Sequence, residues 1–256
     1  MAGLSSYEMN TSDLVSHLDS FLEIDRYHDR SNNGLQVQGS ERVERIAFAV
    51  DACQASIEAA TRAGAQMLIT HHGLFWSEHL QVTGAHHRRL RALFDAGLNL
   101  YAAHIPLDAH AEVGNNIQLA RIAGLVDIEP WGSHKSDTIG FIGNLPKPTD
   151  VQVLRRRVER GIGKANLVQG VGESLRVAVC SGFGVTLMYE ALAAGADTLL
   201  TGETSHQWFQ AVAEHPLKVI YGGHYNTETI GVQVLAQHLS QMFGVETLFV
   251  DLPTGL

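Results

Sequence analysis

The chain has 256 residues, including 14 histidines and two cysteines, and its 18 basic and 27 acidic side chains leave a formal net charge of −9. This length suffices for one large or two small domains, the acidic balance excludes a dominant nucleic-acid surface, and no apolar run reaches the roughly 18 residues of a membrane span. The first residues resemble no secretory signal and two cysteines make no disulfide scaffold, so the composition predicts a reduced, cytoplasmic protein.

The predicted elements alternate between helices and strands along the first half of the chain. Capping oxygens at residues 11–13 precede a helix with Leu14, Leu18 and Leu22 on one face. Strands are predicted over residues 46–50, 67–70 and 98–102, with helices over residues 54–62 and 88–96 between them. Because this alternation is typical of sheets with parallel strands, the predicted fold class is α/β.

An internal repeat relates the two halves of the chain. A shift of 131 residues superimposes residues 45–47, 63–65 and 68–70 on similar triplets, and a shift of 120 places residues 100–104 on 220–224. Ala-Gly-Ala after a helix is common in α/β proteins, but a shared shift over about 25 residues favours two related lobes. The first lobe is predicted to comprise residues 1–130 and 225–256, and the second residues 131–224.

Histidines follow the predicted strand ends, where open α/β sheets bind their ligands. His71 and His72 end one strand, and His104 and Asp108 follow another. Adjacent residues of an extended chain point to opposite sides, so His71 and His72 are expected to serve different ions unless Gly73 turns the chain. In isolation, such a pair is also typical of one solvated and one packed histidine.

A third cluster combines His224 with Glu228, which begins a strongly apolar helix. If the helix starts by Tyr225, both side chains lie on one face within reach of one ion, although a surface ion pair shows the same spacing. Imidazole and carboxylate suit zinc, iron, manganese, nickel or cobalt, and the lack of nearby thiolates excludes a cysteine-type zinc site. With Asp108 and Glu228 as the carboxylate ligands, the clusters supply enough ligands for two metal ions. A water molecule bound between two such ions would lose a proton near neutral pH and act as the nucleophile.

Two further segments are candidates for parts of the same site. Residues 181–184 form a glycine-rich turn between a strand and a helix, which indicates either a phosphate-binding turn or an ordinary tight turn. By the repeat, Glu203 and His206 occupy the place of the first histidine pair. We interpret them, together with His104, as candidates for moving protons, with a solvated loop as the alternative for Glu203 and His206.

Over essentially its full length, the chain resembles the NIF-three-like dinuclear metal centre proteins, often named GTP cyclohydrolase 1 type 2 homologues. The motifs that carry the resemblance are Asn33-Gly34-Leu35-Gln36, Val50-Asp51, Ile69-Thr70-His71-His72, His104-Ile105-Pro106-Leu107-Asp108 and Gly223-His224-Tyr225-Asn226-Thr227-Glu228. The resemblance implies a NIF-three-like fold in a toroidal homohexamer with metal pairs facing the central cavity. The metal ligands it implies are His71, His72, Asp108, His224 and Glu228, with His104 as a close neighbour or an additional ligand.

The sequence therefore predicts a metal-dependent hydrolase with two divalent transition-metal ions per chain. Its expected substrate is a small polar or nucleotide-type molecule, and the resemblance suggests ring opening of GTP. The alternative is a non-catalytic metal carrier, metallochaperone or regulatory assembly protein. A catalytic site keeps an open coordination position and loses turnover when chelated, whereas a carrier passes its metal to a partner.

Overall fold

The computed structural model describes residues 9–163 and 167–255, which form two compact α/β units. The first unit comprises the described residues up to Leu107 together with Val232–Leu252. The second unit comprises the described residues of Asp108–Gly231 and those that follow Leu252. Within the described ranges, no helix is both long and apolar enough to cross a bilayer.

The secondary structure alternates as the sequence predicts. The strands are β1 (Met9–Asn10), β2 (Gly34–Val37), β3 (Arg42–Val43), β4 (Arg45–Asp51), β5 (Met67–His72), β6 (Asn99–Ala102), β7 (Val126–His134), β8 (Asp137–Asp150), β9 (Leu167–Gln169), β10 (Glu173–Cys180), β11 (Thr198–Thr201), β12 (Lys218–Tyr221) and β13 (Glu246–Phe249). The helices are α1 (Thr11–Phe21), α2 (Gln54–Arg62), α3 (Gly84–Ala96), α4 (Ile105–Ala109), α5 (Asn115–Ala123), α6 (Val151–Ile162), α7 (Met188–Ala193), α8 (His206–Ala213) and α9 (His224–Phe243). A 3₁₀ turn over Gly184–Leu187 precedes α7.

The first unit is built on a five-stranded sheet in the order β13-β4-β5-β6-β2. All neighbours in this sheet are parallel except β2, which pairs antiparallel with β6 at one edge. Strands β4 and β5 are buried along nearly their whole length, as expected for central parallel strands covered on both faces. Their inward side chains share one core with α2 and α3, which includes Ala47, Ile57, Leu68, Leu93 and Leu100.

The second unit is built on a six-stranded sheet in the order β7-β8-β10-β11-β12-β9. Strands β10, β11 and β12 are parallel, and antiparallel strands extend the sheet on both sides. Helix α6 is capped by Asp150, whose carboxylate accepts the N–H of Gln152 at 2.9 Å. It buries one apolar face in the core of this unit, formed by Val151, Leu154, Val158 and Ile162.

The sheet registers reproduce the internal repeat. Ile46 pairs with Met67 between β4 and β5, and Val177 pairs with Thr198 between β10 and β11, so both positions carry the shift of 131 residues. In the third strand, the register places Ala102 on Tyr221, a shift of 119 rather than 120. The second unit therefore has one additional residue between this strand and its histidine, because two glycines precede His224 where Ala103 alone precedes His104.

The unit boundaries differ from the predicted ones. The first unit ends at Leu107 rather than near residue 130, and the chain returns to it at Val232 rather than at residue 225. The reason is packing, because α5 contributes Ile117, Leu119 and Ala120 to the core of the second unit. The C-terminal segment Val232–Leu252 clusters with the first unit.

Leu154 and Val153 give a matched test of the α6 packing. Leu154 is fully buried, whereas Val153 is exposed. Replacement of Leu154 by Ala should lower the free energy of unfolding by about 2–5 kcal/mol, because it removes transfer energy and leaves a cavity. Val153→Ala should change it by less than about 0.5 kcal/mol. Urea unfolding at one protein concentration measures both, and equal effects of the two substitutions would contradict this arrangement of α6.

Candidate metal centre

The first unit brings three imidazoles together at the carboxyl ends of adjacent strands. His71 and His72 end β5, and His104 follows β6. Each offers one ligand atom, and these atoms all lie within 4.8 Å of one another. The ring centroid of His71 lies 4.7 Å from that of His72 and 5.0 Å from that of His104. His71 is buried and the other two are partly exposed, so the group lies at the edge of the unit's core.

Hydrogen bonds to the two neighbouring strand ends orient the adjacent histidines. Nδ1 of His71 donates to the carbonyl oxygen of Ala103 at 3.0 Å, and Nδ1 of His72 donates to Oδ1 of Asp51 at 2.8 Å. These oxygens accept hydrogen bonds, so in each neutral ring the proton lies on Nδ1 and the lone pair on Nε2. Because β5 lies between β4 and β6, the two bonds turn the rings in different directions. The two rings therefore lie side by side, rather than on opposite sides of the chain as strand alternation predicts. Whether they serve one ion or two stays a prediction.

Asp29 orients the third imidazole. Its carboxylate accepts hydrogen bonds from Nδ1 of His104 at 2.9 Å, from the backbone N–H of Ser31 and Ile105 at 3.0 Å, and from the Asn33 amide at 3.0 Å. Burial raises the pKa of this carboxyl, but the hydrogen bond and charge of His104, with the hydrogen bonds of Asn33 and Ser31, lower it well below its usual range. Asp29 therefore stays ionised and holds His104 with its proton on Nδ1. His104 thus has the geometry of an additional ligand.

Polar side chains at the start of β2 hydrogen-bond to the backbone at His104 and just beyond His72. Oδ1 of Asn33 accepts the N–H of His104 at 2.8 Å, and Oε1 of Gln36 accepts the N–H of Leu74 at 2.7 Å. The indole of Trp76 lies edge-on to the His104 ring, with centroids 5.1 Å apart. The motif that contains Asn33 and Gln36 thus helps to fix the backbone at His104 and Leu74, and in this way the position of the neighbouring imidazoles.

The second unit presents an imidazole and a carboxylate on the first turn of α9. The helix begins at His224, and Nε2 of His224 lies 3.1 Å from Oε1 of the buried Glu228, as the spacing predicts. Nδ1 of His224 donates to Oε1 of Glu203 at 2.8 Å. Burial lowers the pKa of His224, but the hydrogen bonds and charges of Glu228 and Glu203 raise it to about 10. His206 is exposed at the start of α8 and belongs to neither group among the described residues.

The turn after β10 lies against this pair. The N–H of Ser181 donates to Asn116 at 2.6 Å, and the N–H of Gly182 donates to Thr227 at 3.1 Å, so both amides are engaged by side chains. A Cβ atom on Gly182 would stand 2.5 Å from Oε1 of Glu228, and its φ of +56° also favours glycine. These contacts favour the tight-turn alternative, and the glycine makes room for Glu228.

Asp108 lies buried in α4, where Ser181 and Asn115 hold it. Its Oδ1 accepts from Oγ of Ser181 and from Nδ2 of Asn115, both at 2.9 Å. Burial, followed by the charges of Asp108 and Glu228, raises the pKa of the Cys180 thiol well above its usual range. Two buried carboxylates near one thiol concentrate negative charge, which a divalent cation would neutralise.

The donor atoms fit a transition-metal ion. Imidazole nitrogens with carboxylates as their hydrogen-bond partners are the arrangement by which proteins fix the tautomer and orientation of metal-ligating histidines. Nitrogen and oxygen donors without thiolate suit zinc, iron, manganese, nickel or cobalt. The His and Glu groups can therefore hold metal.

Fold and site together define a class of α/β protein whose parallel strands lead into histidines and carboxylates that could hold a metal ion. The family model described as Duf34/NIF3 (NGG1p interacting factor 3) matches residues 9–254, and the chain belongs to this family. This confirms the resemblance stated above.

The chain is similar along its whole length to several known proteins. It is 45% identical over 251 residues to the GTP cyclohydrolase 1 type 2 homolog of Deinococcus radiodurans, covering 97% of this chain and 95% of that one. It is 45% identical over 252 residues to the homolog of the same name from Pyrococcus abyssi, covering 97% and 100%. The crystal structure of TTHA1606 from Thermus thermophilus matches with a TM-score of 0.90 and 43% identity, covering 97% and 100%. The fold is therefore that of the NIF3 superfamily.

Asp51 and Asp95 allow the support of His72 to be tested. Asp51→Ala removes the acceptor that orients His72 and should weaken Zn²⁺ or Co²⁺ binding about 10–100-fold. Asp95→Ala removes a surface carboxylate that pairs with Arg91 on α3 and should leave binding unchanged. Isothermal titration with the metal measures both, and an Asp51→Ala variant that binds like the parent would contradict the proposed orientation of His72.

Proposed function

We propose that this chain is a metal-dependent hydrolase that holds two divalent transition-metal ions. The observation that carries the proposal is that an oxygen acceptor holds Nδ1 of each of His71, His72, His104 and His224, which leaves Nε2 as the atom that can bind metal. In His224, whose raised pKa keeps the ring protonated, a bound ion would replace the proton on Nε2. Buried carboxylates accompany them. The proposed ligands are His71, His72, Asp108, His224 and Glu228, with His104 as an additional ligand.

The residues around these ligands have distinct proposed roles. Asp51, Asp29 and Glu203 hold the rings of His72, His104 and His224 and increase their basicity. When bound, a pair of divalent ions activates water at neutral pH and polarises the bond to be cleaved. Glu203 is thus proposed as the carboxylate that retains the His224 proton, and the exposed His206 as a residue that moves protons to or from the substrate.

Family membership supports the proposed substrate class. The relatives carry the name GTP cyclohydrolase 1 type 2 homolog, and a nucleotide-type substrate with a hydrolysable ring fits nitrogen–oxygen metal chemistry. We therefore propose a small polar or nucleotide-type substrate, with GTP ring opening as the specific version. Membership also supports the proposal of a homohexamer, which light scattering of the purified protein tests.

Metal content and the Glu228→Gln variant test the site. Metal analysis of tag-free protein, after titration if needed, should give about two transition-metal equivalents per chain. Glu228→Gln should weaken metal retention, because an amide lacks the charge of the buried carboxylate. Glu246→Gln, which alters an exposed glutamate paired with Arg45, serves as the control. A parent protein that neither contains nor takes up metal would refute the site, and unchanged retention in Glu228→Gln would refute this ligand assignment.

A turnover screen separates the hydrolase from the carrier. The metal-loaded protein is assayed against nucleotides, phosphoesters and cyclic amides, with the chelated protein and Glu228→Gln as controls. We expect hydrolysis of a nucleotide-type substrate that chelation abolishes and Glu228→Gln strongly reduces. Metal that passes to an acceptor protein or competing chelator, without turnover of any substrate, would instead support a metal carrier.

A further inference from the structure

Asn115 is a fully buried amide beside the candidate metal centre. It is the first residue of α5 and its side chain has no exposed surface. Its Nδ2 donates to Oδ1 of Asp108 at 2.9 Å, and its Oδ1 accepts the backbone N–H of Gly231 at 2.7 Å. One side chain therefore joins a buried carboxylate to the interior of α9.

Only one orientation of the amide satisfies both partners. The reversed amide would turn its oxygen towards the Asp108 carboxylate and its NH₂ group towards the N–H of Gly231, and both contacts would be repulsive. Because all of these groups are buried, losing either hydrogen bond would leave a desolvated polar group. The hydrogen bonds of its Nδ2 to Asp108 and of its Oδ1 to Gly231 therefore fix the Asn115 side chain in one orientation.

Gly231 makes this close approach possible. A Cβ atom at residue 231 would lie 2.6 Å from Oδ1 of Asn115 and 3.1 Å from its backbone nitrogen. Glycine inside a helix is otherwise less favourable than alanine by about 1 kcal/mol. Helix α9 therefore has a residue of low helix propensity at the position where Asn115 contacts it, because a larger residue would not fit there.

The contact lies on the face of α9 that carries the candidate ligands. Glu228 follows His224 by four residues and Gly231 follows it by seven, and these spacings place all three on one side of a helix. Asn115 consequently links the Asp108 carboxylate to the helix face that presents His224 and Glu228. Ser181 donates a second hydrogen bond to the same Asp108 oxygen and limits its rotation further.

We propose that Asn115 is a positioning residue that sets the orientation of the Asp108 carboxylate relative to His224 and Glu228. This inference rests on the proposed function, in which these three residues are metal ligands. Asn115 itself contacts neither metal nor substrate in this role. It acts through the amide bridge between Asp108 and Gly231.

The test uses Co²⁺ as the probe, because its visible absorption spectrum reports ligand geometry and is not changed by stability alone. Asn115→Asp keeps the acceptor for Gly231 but places a carboxylate oxygen against Asp108. It should weaken Co²⁺ binding about 10–100-fold and change the spectrum of the saturated protein. Asn99→Asp is the matched control, because Asn99 is equally buried and bonds Gly39, Ser40 and Gln66 instead. It should bind Co²⁺ with the affinity and spectrum of the parent.

A second variant alters the other partner of the Asn115 amide, which is Gly231 in α9. Gly231→Ala does not change the identity of Asn115 or of any candidate ligand, but its methyl group displaces the Asn115 amide. It should alter the Co²⁺ spectrum in the same direction as Asn115→Asp, and it provides the test if Asn115→Asp does not fold. Parental affinity and spectrum in either folded variant would overturn the inference.

Two further measurements separate this inference from the proposed function. If the parent binds no Co²⁺, the proposed metal site itself fails. If the parent binds Co²⁺ and Asp108→Asn has no effect, Asp108 is not a ligand and the role assigned to Asn115 fails with it. If Asp108→Asn weakens binding while the Asn115 and Gly231 variants do not, the metal site stands and only the positioning role is refuted.

Discussion

The four histidines of the candidate metal centre share one constraint, which is an oxygen acceptor at Nδ1. The acceptors are a backbone carbonyl for His71 and the carboxylates of Asp51, Asp29 and Glu203 for His72, His104 and His224. A neutral imidazole carries one proton, so fixing it on Nδ1 commits Nε2 to act as an acceptor or a ligand. The capacity of the chain to hold metal depends on this arrangement.

The strand order of the two sheets brings the histidines and their hydrogen-bond acceptors together. In each unit, three parallel strands end at the same edge, and the residues that follow them include the histidines or their acceptors. His72 can reach Asp51 because β4 and β5 are neighbours and their ends are paired in register. The repeat of this three-strand arrangement explains why carboxylate and imidazole recur at the strand ends of both units.

Hydrophobic patterning and the repeat predicted much of the fold. Helix α2 has the predicted bounds, and the shift of 131 residues between β4–β5 and β10–β11 is the register of the sheets. The boundary after Leu107 could not be predicted, because which unit α5 packs against depends on contacts distant in sequence. Family membership is confirmed, while hexameric assembly and the individual catalytic roles stay predictions.

The candidate site was predicted in part. Residue type and strand-end placement identified the histidines, and helical spacing correctly placed His224 beside Glu228. Period-two alternation did not predict that the rings of His71 and His72 lie side by side, because it takes no account of their hydrogen bonds to the neighbouring strand ends. Asp29 and Asn115 were missed because their partners lie elsewhere in the chain. An aspartate two residues before a serine does indicate a local turn, which is the one sequence signal at Asp29.

Anomalous diffraction at the metal edge, from crystals grown with Zn²⁺, tests the central claim most directly. The account predicts anomalous peaks at ligand distance from Nε2 of His71, His72 and His104 and from Nε2 of His224, with Nδ1 of each ring still bonded to its oxygen acceptor. Peaks at Nδ1, or a metal-soaked crystal with no peak at either group, would contradict it.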